Sequence, residues 1–233
     1  MKPVKNTKSS RSRLRLIVIS MSTLFTLGCM ANEPMKVQLP SPRTTGTVSL
    51  EETLQERRSI RNFAPYAITA KEIGQLLWSG QGITLPARGF RTAPSAGATF
   101  PLELYIAVFR SNEVAPGLYH YDIRDHALTL KDSDFTANSI VGVALRQMWI
   151  NDASAAIIIT AVAERTASRY GDRATRYIDM EVGHVGQNIS LQAVALDLGT
   201  TMVGAFNDAA LADVLGLPRG EMPLYVIPVG KPE

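Results

Sequence analysis

The run from Ala155 to Ala163, Ala-Ala-Ile-Ile-Ile-Thr-Ala-Val-Ala, constrains the fold of this chain more than any other stretch. A strand with one face in water alternates apolar and polar side chains, so a run that is apolar at both parities must be covered on both faces. It therefore predicts a central strand in a buried sheet, with helices filling the space on either side.

Neighbouring segments supply both kinds of element. Leu102 to Phe109 is rich in aromatic and branched residues and predicts a second strand. Leu118 to Tyr121 and Ala127 to Leu130 predict a hairpin around a polar turn. Ser49 with Glu52, and Thr69 with Glu72, have the spacing of capping boxes and open two helices. The second helix carries Ile73, Leu76 and Leu77 on one stripe and stops at Gly80. Helical spacing recurs from Asn138 to Trp149 and from Tyr177 to Leu198. Gly183 and Gly186 inside the last helix each cost about 1 kcal/mol relative to alanine, which points to a close neighbour along that face.

The first 28 residues follow a different plan. Lys2, Lys5, Lys8, Arg11, Arg13 and Arg15 precede an apolar run from Leu16 to Leu27, with no acidic residue among them. This is the layout of a signal peptide, and the run is shorter than the about 20 apolar residues of a membrane span. Thr26-Leu27-Gly28-Cys29 resembles a lipoprotein processing site, so the expectation is an exported protein held at the periplasmic face of a membrane through Cys29. A soluble periplasmic or a cytoplasmic protein are the alternatives. Residues 29–48, with Pro34, Pro40 and Pro42, read as a tether, and residues 49–233 as one domain.

Cys29 is the only cysteine, so the body has no intramolecular disulfide and must be held by core burial, which its 45% hydrophobic composition can supply. Six of the 24 basic side chains lie in the leader, leaving 18 against 21 acids, so the chain beyond it is near −3. That balance excludes a general nucleic-acid surface. One local exception is Arg57-Arg58-Ser59-Ile60-Arg61, which gathers three guanidiniums and a hydroxyl at the end of a predicted helix. Arginine presents a planar fork of donors matched to phosphate, and serine adds a short directional bond.

Arg57-Arg58-Ser59-x-Arg61 resembles the FMN-phosphate motif that opens the nitroreductase superfamily. Ala93-Pro94-Ser95-Ala96-Gly97-Ala98-Thr99-Phe100-Pro101-Leu102-Glu103 is similar to the signature of its SagB-type, thiazoline-oxidase-like branch. Arg169-Tyr170-Gly171-Asp172-Arg173, Glu181-Val182-Gly183-His184-Val185-Gly186-Gln187-Asn188 and Val203-Gly204-Ala205-Phe206 follow in the order of that branch. The resemblance implies an α+β nitroreductase-like fold, with a mixed central sheet flanked by helices, and a homodimer with FMN at the interface. It implies contacts to the FMN phosphate and ribityl chain from Arg57, Arg58, Ser59 and Arg61. Pro94, Ser95, Ala96 and Gly97 form the loop beside the isoalloxazine, Gly204 and Ala205 offer backbone amides to it, and Lys231 returns a second cation to the phosphate.

The chemistry so implied is hydride transfer on a small organic or peptide-derived substrate. No side chain is assigned as a general base; Tyr170, Tyr177 and His184 are the only candidates, and His184 with its apolar neighbours reads as a core histidine. Gln147 and Trp149 are candidates for the flavin pocket. The cluster His120-Tyr121-Asp122-Ile123-Arg124-Asp125-His126 is not read as a metal site, because alternation along a strand scatters its side chains around a turn. No G-x-S-x-G, G-x-G-x-x-G or P-loop pattern is present, against hydrolase, Rossmann and NTPase readings. Export sets the enzyme apart from NAD(P)H, so a membrane electron donor or acceptor is expected as a partner. The rival reading is an exported lipoprotein that keeps the fold as a ligand-binding or interaction module.

Overall fold

The computed structural model describes residues 35–233 together with Met1 and Pro3. The leader, Cys29 and the first part of the expected tether lie outside the described residues. Among the described residues no helix is long and apolar enough to cross a membrane.

The scaffold is an eight-stranded sheet. Its strands are β1 (Lys36–Gln38), β2 (Phe63–Ala64), β5 (Leu102–Val108), β6 (Gly117–Asp122), β7 (Ala127–Asp132), β8 (Ala155–Val162), β9 (Gly199–Thr200) and β10 (Glu221–Pro232). A separate small hairpin joins β3 (Ile83–Leu85) to β4 (Phe90–Arg91). The order across the large sheet is β1-β7-β6-β5-β8-β10-β2, with β9 pairing to β10. The helices are α1 (Leu50–Glu56), α2 (Ala70–Gln81), α3 (Ala137–Val141), α4 (Glu164–Tyr170), α5 (Ala174–Ala195) and α6 (Asp208–Leu215).

The apolar run that starts at Ala155 is β8, between β5 and β10. Alternation along it divides the core in two. Ile157 and Ile159 join Leu104, Ile106 and Ile227 on the face covered by α2 and α5, through Leu76, Leu77, Val185 and Ile189. Ala156 and Ile158 join Tyr105, Ala107 and Val226 on the opposite face, against Ile140, Leu211 and Leu215. Register fixes this, since Leu104 sits opposite Ile159 and Tyr105 opposite Ile158. Each fully buried isoleucine contributes about 1.5–3 kcal/mol of transfer free energy.

Four expectations change. The sheet is antiparallel at every strand pairing rather than mixed, its only parallel element being the isolated bridge between Ser59 and Thr200. The expected helix over 138–149 ends at Val141, because Leu145 and Arg146 take left-handed backbone, at φ 51° and 56°. The long helix begins at Ala174, three residues early, and ends at Ala195. The expected tether is in part structural: β1 pairs with β7, Leu39 is buried, and the backbone of Arg43 exchanges two hydrogen bonds with the Gln75 side chain.

Helix starts follow the capping prediction. Thr69 Oγ1 accepts from Glu72 N at 3.2 Å while the Glu72 carboxylate accepts from Thr69 N at 2.8 Å. At Ser49 the hydroxyl accepts from Glu52 N at 3.1 Å. That cap starts α1, whose far end delivers the arginine cluster.

Candidate functional site

The segment 57–63 is held by the sheet edge next to it. Arg57 N–H donates to Thr53 O and closes α1, and Ile60 N donates to Thr200 O at 3.0 Å. Room for this docking comes from two glycines. A Cβ on Gly199 would stand 2.8 Å from Ile60 Cβ, and one on Gly230 would stand 2.8 Å from the Phe63 ring. The backbone of the cluster is therefore fixed while its guanidiniums reach outward.

Those guanidiniums differ. Arg58 folds back and donates to Gln55 O at 2.6 Å and Arg57 O at 2.9 Å, satisfying carbonyls near the end of α1. Arg61 lies 5.8 Å from the centre of the Trp149 ring, and Trp149 in turn meets Phe63 at 6.4 Å. Among the described residues neither Arg57 nor Arg61 has a carboxylate partner. Lys231 is brought to the same edge by pairing with Ala64, but its ammonium is engaged by Asp197. A cleft of about 240 Å³ beside Arg58 has Asp197 and Glu56 on its walls, so it is not a uniformly cationic cavity.

Gly204 and Ala205 follow the bridge between Val203 and Val226 and are exposed. Ala205 O accepts from Gln147 Nε2 at 3.1 Å. Neither backbone N–H has a protein acceptor among the described residues.

The loop 94–100 is built in another way. Gly97, Ala98 and Phe100 all have left-handed backbone, at φ 59°, 54° and 45°. That conformation is unfavourable for the two non-glycine residues, so the surroundings must enforce it. Ser95 Oγ accepts from Phe100 N at 2.9 Å, Arg169 donates to Gly97 O at 2.9 Å and Arg165 to Phe100 O at 3.1 Å. Thr99 and Thr166 hydroxyls meet at 2.8 Å, and Arg91 lies 4.1 Å from the centre of the Phe100 ring. A Cβ on Gly97 would fall 2.5 Å from Tyr170 Oη. Helix α4 is thus a brace for the loop.

Sequence reasoning missed what lies beneath it. Glu181 on α5 is buried, beside Ser95, Gln81 and Arg91. Burial pushes its carboxyl up, more than Ser95, Arg91 and Gln81 pull it down. The signal available was a glutamate on the apolar stripe of a helix, between Ile178 and Val185. His184 departs from its expected place, since it is exposed on α5.

Tyr170 and Tyr177 meet edge to face at 4.9 Å, and Tyr170 is committed to the glycine brace. The His120 to His126 segment distributes its side chains among separate partners. His120 Nε2 donates to Glu103 at 2.9 Å, Tyr121 Oη donates to His126 Nδ1 at 2.7 Å, and His126 Nε2 donates to Pro40 O at 2.9 Å. Burial alone would push the Glu103 carboxyl up, but hydrogen bonds from His120 and Arg165 hold it below the usual carboxylate value.

The arginine cluster and the braced loop occupy different levels of α5. Thr200, which receives Ile60, donates to Ser190, whereas the loop lies over Glu181. Nine residues of helix separate those two levels by roughly 13 Å at 1.5 Å per residue.

Residues 54–231 match the description of the Nitroreductase family. The chain is 40% identical over 199 residues to a protein of Methanocaldococcus jannaschii named as a nitroreductase, an overlap of 85% of this chain and 98% of that protein. A crystal structure of a Ralstonia eutropha protein assigned as a nitroreductase superposes with a TM-score of 0.72 at 26% identity, covering 86% of this chain and 94% of the other. The trifolitoxin-processing protein TfxB of Rhizobium leguminosarum is 28% identical over 134 residues, which is 54% of this chain and 35% of TfxB.

Proposed function

This chain belongs to the nitroreductase family, and from that premise we propose that it is an FMN-dependent oxidoreductase acting by hydride transfer on a small organic or peptide-derived substrate. The observation that carries the cofactor is the pair Arg57 and Arg61, two guanidiniums fixed at the backbone and left without a carboxylate among the described residues. Such donors are suited to a phosphate.

The residues present fit the group. Arg57, Arg61 and Ser59 would hold the phosphate, and Lys231 would join them on leaving Asp197. The exposed N–H groups of Gly204 and Ala205 would face the ring where negative charge develops, and the small residues Pro94, Ser95, Ala96 and Gly97 would flank it. FMN supplies the two-electron chemistry when bound. The chain's own part is to bind, orient and keep water out. Trp149 steadies Arg61, Gln147 fixes the Ala205 carbonyl, and α4 holds the loop in a backbone conformation it would not keep alone.

A homodimer belongs to this reading. The outer face of α5 exposes Met180, Gly183, His184 and Gln187, and beyond its chain neighbours and the backbone of its own helix nothing among the described residues stands within 4 Å of a Cβ built on Gly183. That glycine leaves space for a second copy. Light scattering of the purified protein tests it, and a monomer at micromolar concentration would remove the interface.

The basic and apolar leader ahead of Cys29 supports export and lipid attachment, with a membrane quinol in place of NAD(P)H as electron donor. Two measurements test the function. Visible flavin absorbance should appear after reconstitution with FMN, and the loaded protein should bleach faster with a quinol than with NADPH. No retained flavin after reconstitution would reduce the protein to a binding module; rapid saturable bleaching by NADPH with cytoplasmic fractionation would refute export.

A further inference from the structure

Among the described residues three buried side-chain polar atoms lack a hydrogen-bond partner, and two of them, Gln81 Nε2 and Glu181 Oε1, belong to neighbouring side chains. Gln81 is 0% exposed and Glu181 is 3% exposed. A buried carboxyl with an unsatisfied oxygen and no ion pair is costly to keep unless it has a task or holds a proton.

Its surroundings show the task. Glu181 stands beside Ser95, whose oxygen accepts from Phe100 N and so closes the loop 94–100. On its other side, Gln81 Oε1 accepts from Arg91 Nη1 at 2.7 Å, and Arg91 in turn supports the Phe100 ring. Both ends of the loop are thus reached from one carboxyl, through a hydroxyl at the start and through an amide and a guanidinium at the end. We infer that Glu181 is a positioning residue for the loop 94–100, and that gain or loss of its proton resets the loop. This rests on the proposed function only in taking the loop as the flavin's neighbour.

The protonated carboxyl offers one donor and keeps an acceptor, so it can serve Ser95 and Gln81 with no net charge under the loop. The ionised carboxyl accepts only, and sits buried beside Arg91 as its nearest cation. The burial that raises its proton affinity favours the neutral form. Other charged groups lie one step further out. Arg165 and Arg169 of α4 hold the loop carbonyls, Glu103 with His120 faces Arg165, and Arg124 acts on Arg91 from the turn after β6. His120 is tied to the same network through Glu103, so a substitution at His120 separates its part from that of Glu181.

The sign of the linkage is fixed by the raised proton affinity. Such a carboxyl contributes stability that is full below its unfolded value and is lost as the pH rises through its folded value. The experiment uses the full chain without flavin, so a failure of the FMN reading leaves it intact. Amide hydrogen exchange over residues 94–100, corrected for the intrinsic rate, is followed from about pH 4, at the ordinary glutamate value, up to about pH 9, with thermal unfolding alongside.

The wild type should lose loop protection and stability as the pH rises above the ordinary glutamate value. Glu181→Gln, which keeps a donor and an acceptor but cannot ionise, should hold the loop with no such dependence. His120→Gln should behave as the wild type. If Glu181→Gln does not fold, Ser95→Ala decides the matter, since it keeps the carboxyl and should expose the loop at every pH. A wild-type loop whose corrected exchange is flat with pH, a pH dependence that persists in Glu181→Gln or vanishes in His120→Gln, or unaltered loop protection in Ser95→Ala would each overturn the inference.

Discussion

The arginine cluster and the loop 94–100 are two ends of one candidate site with opposite construction. At the first, backbone is anchored and side chains are free: Ile60 is pinned to Thr200, while Arg57 and Arg61 have no carboxylate among the described residues. At the second, side chains are small and the backbone itself is strained, held by Arg165, Arg169 and Thr166 and underlain by Glu181. The difference fits the ligands each end would meet. A phosphate is bound by charge, which long side chains deliver with little demand on the backbone. A flat ring is bound by shape, which requires a loop that cannot relax.

The largest expected effect breaks the first end alone. Arg57→Ala combined with Arg61→Ala should weaken FMN by about 1.5–3 kcal/mol per lost charge-assisted bond, roughly tenfold to a hundredfold each. Folding stability should stay within about 0.5 kcal/mol, as for other surface changes. Fluorescence titration with FMN reads the first quantity and thermal unfolding the second. An unchanged affinity would assign the phosphate elsewhere and dissolve the contrast.

The converse substitution is Gly97→Ala. It places a Cβ 2.5 Å from Tyr170 Oη in a residue at φ 59°. Left-handed backbone costs a residue with a Cβ about 1–2 kcal/mol before any clash is counted. Here the loss should appear in stability and in loop protection, with flavin affinity falling only as a consequence. If stability were unaffected, the brace from α4 would be a description of contacts and not a constraint.

A third test uses pH. Glu103 is held below the usual carboxylate value, so its contribution to stability is present above its unfolded value and is lost as the pH falls through the folded one. Glu103→Gln should flatten the acid limb of the stability profile, because the bonds from His120 and Arg165 then meet a neutral amide. The arginine cluster has no share in that limb. An acid limb that remained unchanged would show that Glu103 does not anchor the Arg165 side of the brace.

The two ends were also unequally legible in the sequence. Three arginines and a serine within five residues signal phosphate chemistry directly, because the function lies in side chains that remain free. The loop gave only small residues and a resemblance; its left-handed backbone, its debt to α4 and its buried glutamate depend on contacts between residues far apart in the chain, from Arg165 with Phe100, 65 positions apart, to Ser95 with Glu181. The fold divides in the same manner. Strand β8, the hairpin of β6 and β7, and the capped start of α2 follow from local pattern. Strand β10 did not, since Pro223, Pro228 and Pro232 interrupt its reading as a strand, and β1 did not, since its three residues are stabilised by pairing with β7 within an apparent linker.

The smallest effect asks whether Lys231 belongs to the first end. Its ammonium is engaged by Asp197, whose side chain is 85% exposed, and an ion pair of that kind is worth about 0–1 kcal/mol. Lys231 can therefore leave Asp197 at little expense if an anion arrives. Asp197→Asn removes the competing carboxylate and one negative charge from the rim, so FMN affinity should rise slightly, with a steeper fall as salt is added. Stability should not change measurably. Lys231→Gln should do the reverse to affinity, and the double variant should match Lys231→Gln alone, because the aspartate matters only through the lysine it holds. Additive effects of the two substitutions would show that Asp197 repels the anion directly, and Lys231 would then be a rim cation with no place in the phosphate site.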